Sequence, residues 1–477
     1  MDRQAVVVGS GPNGLAAAIT LAEAGWRVRV LEAASEIGGG VRSAELTLPG
    51  FVHDTCSAIH PFGRLSPFFA AQRGALESHG VRWVTPRYAI GHPLDDGHSV
   101  LLGGDVEATA AELGDDGAAY RSLIGPLVDH WEDLAPHLLA PFNVPLRPSV
   151  ALRMAGFALH ALRSATGVAG RFRGDRARAL FAGAAAHAIL PLDERLSAAT
   201  PMMMLASAHL DGWPIVGGGS RNLSAAMAAR LQALGGIIET DREVATYGDL
   251  PDHDAVLFDT MPGSLARICA DRLPAAYRNS LGAFRHGPGV FKLDLALEGP
   301  IPWRDARLLD AGTIHIGGTL EEIATSEATV GRGDIPQRPF VMLAQQTLFD
   351  PSRAPSGRHT VWAYCHVPNG STVDMAEPIL AQVERFAPGF RDCILAMTRT
   401  TPGDLHARNA NYVGGDIAGG RFDLGQLFTR PARPLDPYST PNRRIYICSA
   451  ATPPGPGVHG MAGYHGAVSA LSRLDAR

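Results

Sequence analysis

An α/β fold around a parallel sheet is what three features of this 477-residue chain predict. An apolar run of strand type, Ala5-Val6-Val7-Val8, feeds a glycine turn, Gly9-Ser10-Gly11-Pro12-Asn13-Gly14, and then an alanine-rich helical stretch to Ala24. A second strand, Arg27 to Leu31, follows at once, with Glu32 at its end. Near the far terminus, Arg444 to Cys448 reads as a strand, Ser449 to Val458 as a Pro/Gly loop, and Gly460 to Leu474 as a small-residue helix. Strands alternating with helices build parallel sheets, because the crossover between parallel neighbours needs a length of chain that a helix supplies.

The opening unit carries chemistry as well as architecture. Its three glycines serve a tight turn, close approach of backbone to a pyrophosphate, and close packing of helix on strand. Gly9, Ser10, Gly11, Pro12, Asn13 and Gly14 are therefore expected to cradle a dinucleotide at the helix N-terminus. Glu32 is placed to accept hydrogen bonds from the adenosine ribose, which disfavours a 2′-phosphate and hence NADP. The next stretch, Ala33-Ala34-Ser35-Glu36-Ile37-Gly38-Gly39-Gly40-Val41-Arg42, lets backbone amides approach an extended cofactor and offers Arg42 to offset pyrophosphate charge. An NAD dehydrogenase has no such loop, so FAD is the expected cofactor; a surface turn with a solvated arginine is the alternative. At the other end, Gly457 and Val458 lead into a helix whose free amides and positive dipole end suit the pyrimidine side of a flavin. Such amides stabilise negative charge arriving with a hydride.

Further motifs are Pro49-Gly50-Phe51-Val52-His53-Asp54, His60-Pro61, Gly217-Gly218-Gly219-Ser220, Gly414-Gly415-Asp416-Ile417 and Pro454-Gly455-Pro456-Gly457-Val458-His459-Gly460. Taken together these resemble the phytoene desaturase-like branch of FAD-dependent oxidoreductases, relatives of carotenoid desaturases, retinol saturase and the amine oxidases. Within that branch the chain is similar to the subgroup of the pyridine nucleotide-disulfide oxidoreductase domain-containing protein 2, over nearly its whole length. The resemblance implies that the backbone of Val244 contacts adenine; an ordinary buried strand valine is the plainer reading. The ending departs from the family pattern, since Ser449, Ala450, Ala451 and Pro453 stand where glycines and often a histidine occur. A flavin-tuning histidine at position 453 is thereby removed, while small residues still admit a cofactor.

The Rossmann-like domain is expected in three pieces, residues 1–75, 217–285 and 411–477. In the second piece Leu223, Met227, Leu231 and Leu234 share one helical face, Gly235-Gly236 ends the helix, and short strands follow at 237–240, 243–244 and 255–258. Segments 76–216, read as helical, and 286–410, read as a sheet, would form an α+β substrate domain. Val290 to Leu297 alternates apolar and polar residues as a half-buried strand does, and 340–345 and 360–366 repeat the pattern. A sheet roofing the flavin is the natural reading.

Composition narrows the function classes. A net charge of −5 with 46% hydrophobic residues gives no electrostatic footprint for nucleic acid. Five dispersed cysteines, Cys56, Cys269, Cys365, Cys393 and Cys448, lack a CxxC pair and argue against disulfide reductase chemistry. Without a second strand-GxGxxG-helix unit for NAD(P)H, electrons are expected to leave to oxygen, a quinone or another acceptor. No leader precedes the first strand and no apolar run reaches the roughly 18 residues of a membrane span, so a soluble cytoplasmic protein, or one peripheral to a membrane, is expected. Residues 147–178 hold seven arginines against Asp175 alone, with Val150, Met154, Phe157 and Ala161 at helical spacing. Two readings stand: a basic amphipathic helix on anionic lipid, or a substrate-domain helix with a solvated basic face, the simpler of the two. Homo-oligomerisation is compatible with either.

His459 and His465 are six apart, the wrong spacing for helical metal ligands, and no metal site is expected. A GxSxG elbow is missing, which disfavours a serine hydrolase. His60 and His366 could face a pocket, yet nothing in the sequence makes either catalytic. The expected activity is hydride transfer from a carbon–carbon bond of an apolar small molecule to flavin, as a dehydrogenase, saturase or isomerase. An amine oxidase-like enzyme, recognisable by aromatic walls at the flavin face, is one alternative. A non-catalytic carrier of the Rab GDP-dissociation inhibitor type is the other.

Overall fold

In the computed structural model, which describes residues 3–427, 429–432 and 435–475, the first apolar run becomes the strand Gln4–Val8. It pairs in parallel with Arg27–Leu31 on one side and Ala255–Phe258 on the other. Ile237–Glu239 and Ile445–Ile447 extend the two flanks, also in parallel. These five strands come from the beginning, middle and end of the chain, in the order 445–447, 255–258, 4–8, 27–31, 237–239. Burial of Ala255–Phe258 at every position explains its unbroken apolar sequence, since a parallel sheet is covered on both faces. Helices Pro12–Glu23, Arg221–Ala233 and Met461–Asp475 cover one face, the first touching both others. On the opposite face Val6, Val8, Val256 and Phe258 pack against Leu265, Ile268 and Leu281 of Pro262–Ile268 and Ala275–Gly282.

The strand expected at 243–244 does not form. After Glu239 the chain turns instead to serve the end of the second strand: Arg242 N–H donates to the Glu32 carbonyl at 2.8 Å and Asp241 N–H to the Ala34 carbonyl at 3.0 Å.

A second, mixed sheet runs in the order 394–400, 289–297, 359–367, 341–344, 311–316, 88–93, 99–102. Two of its strands, Tyr88–Pro93 and Ser99–Leu102, lie in the stretch read as helical; Gly91 and Pro93 break the pattern that would have revealed them. The alternation in Gly289–Leu297 does not separate core from water either, since all nine residues are buried. Phe291, Leu293 and Leu295 join an apolar core with Ile379, Val383 and Phe386 of the helix Ala376–Phe386. The other face carries Lys292, Asp294, Tyr364, His366 and His315, and it looks toward the helical layer containing Asp175–Ala186 and Ala199–Asp211. A sequence of period two thus divides an apolar core from a polar interior. Among the described residues no helix is long and apolar enough to cross a membrane.

Candidate dinucleotide and substrate site

Close packing at the opening turn depends on its glycines. Gly9 has φ +100°, and a Cβ on Gly14 would lie 2.2 Å from the Gly9 carbonyl oxygen. Pro12 opens the helix where a missing N–H costs nothing. Among the described residues the N–H groups of Gly11, Asn13, Gly39 and Gly40 meet no acceptor within the protein, and the buried Oδ1 of Asn13 has no partner. Gly39, at φ +54°, would set a Cβ 3.0 Å from the Gly11 Cα, and a Cβ on Gly40 would meet the Tyr412 hydroxyl at 2.3 Å. Two glycine stretches therefore approach backbone to backbone at a place where side chains would collide, and they present free donors there. Such a cradle of amides has the chemistry that suits a dinucleotide pyrophosphate.

Glu32 is buried beside it. Its Oε2 accepts the N–H of Ser10 at 2.9 Å and the Ser10 hydroxyl, while Oε1 accepts the N–H of Ala34 at 2.9 Å. Arg42 lies 3.5 Å from Glu32 and donates to the carbonyls of Ile37 and Glu36, so its charge is held at the ribose end of the turn. Ala33 is exposed. Val244 is buried outside any strand, and its N–H and C=O take no hydrogen bond among the described residues. Its backbone can thus pair with a base edge.

At the last helix Gly457 has φ +124° and Val458 is half-buried. His459, whose burial depresses its pKa to about 4, is neutral: Nδ1 accepts the N–H of Met461 at 3.0 Å and Nε2 donates to the Gly455 carbonyl at 3.2 Å. It caps the helix, the structural role expected of an isolated histidine. A Cβ on Gly463 would lie 1.8 Å from the Asn13 carbonyl, so the two helices bearing the cradle touch backbone to backbone.

One residue at the turn carries no motif. Asp259, at the end of the Ala255–Phe258 strand, accepts the Gly14 N–H through Oδ2 at 2.9 Å. Burial raises its carboxyl to about 7, against the Gly14 hydrogen bond and with help from the charge of Glu32.

The polar face of the second sheet abuts this region through the hairpin that follows Arg42. His53 Nδ1 stands 3.6 Å from Asp294, and Thr398 Oγ1 donates to the Leu46 carbonyl. Lys292 Nζ donates to Asp294 Oδ1 at 2.6 Å, with both residues buried. Trp362 and Tyr364 form an edge-to-face pair with ring centres 4.8 Å apart. His366 Nδ1 donates to Glu327 Oε2 at 2.8 Å, leaving Nε2 buried without a partner between the rings of Phe340 and Tyr364. A carboxylate that fixes one ring nitrogen and frees the other makes a proton acceptor. His60 differs: its Nε2 lies 3.1 Å from Ser220 Oγ, in the network that holds Asp54.

That network accounts for the remaining motifs. Asp54 accepts from Ser43 Oγ and Ser220 N–H, each at 2.7 Å, and pairs with Arg353; Asp350 accepts the Gly218 N–H at 2.6 Å and Arg353 Nε at 3.0 Å. Asp416 accepts the N–H groups of Gly287 and Gly420 at 2.8 Å, fixing the loop beside the second sheet. Arg353 and Arg430 were invisible to sequence reading because an arginine looks solvated until its partners are known. The buried Arg430 donates to the Ala450 and Ala451 carbonyls at 2.9 and 3.2 Å, in the loop where small residues replace the family's glycines.

Residues 7–71 match the NAD(P)-binding Rossmann-like domain family. The mouse pyridine nucleotide-disulfide oxidoreductase domain-containing protein 2 is 25% identical, over 98% of this chain and 93% of that protein. Hydroxyneurosporene desaturase of Rhodobacter capsulatus is 34% identical over 175 residues, 32% of this chain and 35% of its own length. Among solved structures, putrescine oxidase bound to putrescine shares the fold with a TM-score of 0.62 and 19% identity, over 100% of this chain and 99% of that one. The likeness of fold thus spans both sheets, and the segment matched by the nucleotide-binding family contains the opening glycine turn.

Proposed function

We propose, from its similarity to a desaturase and to the pyridine nucleotide-disulfide oxidoreductase domain-containing protein 2, that this chain is a phytoene desaturase-like oxidoreductase that binds FAD and dehydrogenates a carbon–carbon bond of an apolar small molecule. One observation carries the reading: a glycine-lined cradle with free amides stands beside a fully buried sheet face bearing Lys292–Asp294, Trp362–Tyr364 and His366–Glu327. When bound, FAD supplies a two-electron acceptor for a hydride leaving carbon.

The chain's own residues do the rest. Free amides at Gly11, Asn13, Gly39 and Gly40 hold the pyrophosphate, Glu32 the ribose and the Val244 backbone the adenine. Trp362, Tyr364, Phe340 and Met342 wall an apolar substrate. As one carbon gives up hydride, His366 Nε2 takes the proton from its neighbour, and a double bond forms between them. Water is excluded because every one of these side chains is buried. Oxygen, a quinone or another small molecule would serve as the final electron acceptor.

A second reading is favoured by the Trp362–Tyr364 pair: aromatic walls also suit oxidation of a carbon–nitrogen bond by an amine oxidase-like enzyme. Parallel substrate screens with apolar polyenes and with amines separate the two. Before either comes an absorbance spectrum of the purified protein through anaerobic reduction and air exposure. Bands at roughly 370 and 450 nm that bleach and return are expected of a redox-active flavin. A colourless chain that also refuses added FAD would overturn the proposal.

A further inference from the structure

Hydrophobic side chains exposed to solvent gather in one place. Val144, Leu146, Leu152, Leu159 and Leu162 are all exposed and fall within a single stretch comprising a loop and the helix Pro148–Ala161. Leu146 is 99% exposed, Leu152 75% and Leu159 69%. The inner side of the helix uses the apolar positions that sequence periodicity marks: Val150 belongs to the core beneath the helical layer, and Met154 and Phe157 pack on it. Its outer side shows Leu152, Ala155, Gly156 and Leu159, one or two turns apart. A surface helix should be polar outside; one that is apolar on both sides needs cover.

The rim says what covers it. Arg147 stands at the start of the helix, 3.9 Å from its one carboxylate, Asp133. Arg163 and Arg171 both bear on His160 in the last turn, lowering its pKa together with burial. Neither meets a carboxylate within ion-pair distance among the described residues. Arg153 and Arg178 are held in pairs, by Asp133 at 2.8 Å and by Glu321, which leaves Arg163 and Arg171 as the rim charges without a carboxylate among the described residues. A two-fold contact between copies would set these like charges against each other, so a second chain is a poor cover. An anionic surface with an apolar interior complements both parts of the patch.

We propose that residues 144–162 dock this protein on an anionic lipid bilayer, the leucines entering the acyl boundary and Arg147, Arg163 and Arg171 meeting headgroup phosphates. Of the two sequence readings this takes up the lipid-facing helix, because the face turned outward is apolar. Docking does not depend on the redox chemistry, so its failure and that of the oxidoreductase reading are distinguishable.

The test is co-sedimentation of the full chain with phosphatidylcholine vesicles, with and without phosphatidylglycerol. The native protein should sediment with the anionic vesicles and less so at high salt. Joint Leu152→Ser and Leu159→Ser replacement should weaken partitioning at least about tenfold. Joint Arg163→Gln and Arg171→Gln replacement should weaken it about fivefold per arginine, for anionic vesicles only. These positions are exposed, and unchanged circular dichroism verifies folding. Absence of sedimentation, or equal binding by the leucine variant, overturns the proposal. So does a dimer in light scattering that the leucine variant dissolves, since a second copy would then be the cover.

Discussion

Asp259 places a carboxylate against the same helix start that the pyrophosphate would use. Its Oδ2 already takes the Gly14 amide, and it would lie 2.7 Å from a Cβ on Gly11. The titratable neighbours are Glu32, which raises it, and the buried Cys448 thiol, which it raises in turn. A second anion at this turn favours the neutral acid, so binding should draw a proton onto Asp259. With a carboxyl near 7, FAD affinity is then expected to fall about tenfold between pH 6 and 8 as the proton is lost. Asp259→Asn keeps an oxygen for Gly14 without the charge; it should bind FAD more tightly at pH 8 and flatten the pH dependence. Flavin fluorescence titration at both pH values decides this, and an equally steep profile in the variant would discard the idea. Nothing in the local sequence Phe258-Asp259-Thr260 announces such a residue, because its meaning arises only when that strand lies next to the first.

Between elements, the decisive contacts involve glycine. Helices Pro12–Glu23 and Met461–Asp475 meet where a Cβ on Gly463 would stand 1.8 Å from the Asn13 carbonyl. Gly463→Ala must part the two helices that present the cradle's amides, and a loss of about 1–3 kcal/mol with weaker FAD uptake is expected. Gly74, in the exposed interior of Pro67–Ser78, has nothing within 4 Å of its would-be Cβ. There alanine should stabilise by about 0.8–1 kcal/mol through helix propensity alone. Chemical denaturation of the two variants measures the contrast; equal responses would mean that the backbone contact has no cost. The strands 4–8 and 255–258 were legible as dense apolar runs, and 27–31 as an alternation of arginine and valine that ends at Glu32, each beside a glycine or acidic signal. Tyr88–Pro93 was not, and Gly289–Leu297 was legible as a strand but not as a buried one. Periodicity reports that two faces differ; it is silent on whether the polar one meets water or an interior.

Across the whole molecule, one guanidinium joins segments far apart in sequence. Arg353 is fully buried and pairs with Asp54, takes in Asp350 at 3.0 Å and donates to the Val216 carbonyl at 2.6 Å. It thereby ties the hairpin after the first nucleotide-binding segment to the glycine turn before the second and to the connection between sheet strands 341–344 and 359–367. Arg353→Met fills much of the volume but leaves Asp54 buried without a cation, and Asp350 with Arg82 alone at 3.3 Å, which costs about 3–5 kcal/mol. The pH dependence gives the mechanism its signature. Burial pushes the Asp54 carboxyl up, yet Arg353, the Ser220 N–H and Ser43 together hold it below its ordinary 3.8. A depressed carboxyl stabilises above its unfolded pKa and loses that contribution as pH falls through the folded one. The variant lacks this contribution, so the stability gap between native and Arg353→Met should be widest near neutrality and shrink in acid. Adding Asp54→Asn to Arg353→Met should recover part of the loss at neutral pH by removing the stranded charge. Denaturation midpoints of the three proteins at neutral and acid pH test the chain of argument. A gap independent of pH, with no recovery in the double variant, would show that Arg353 acts by packing alone.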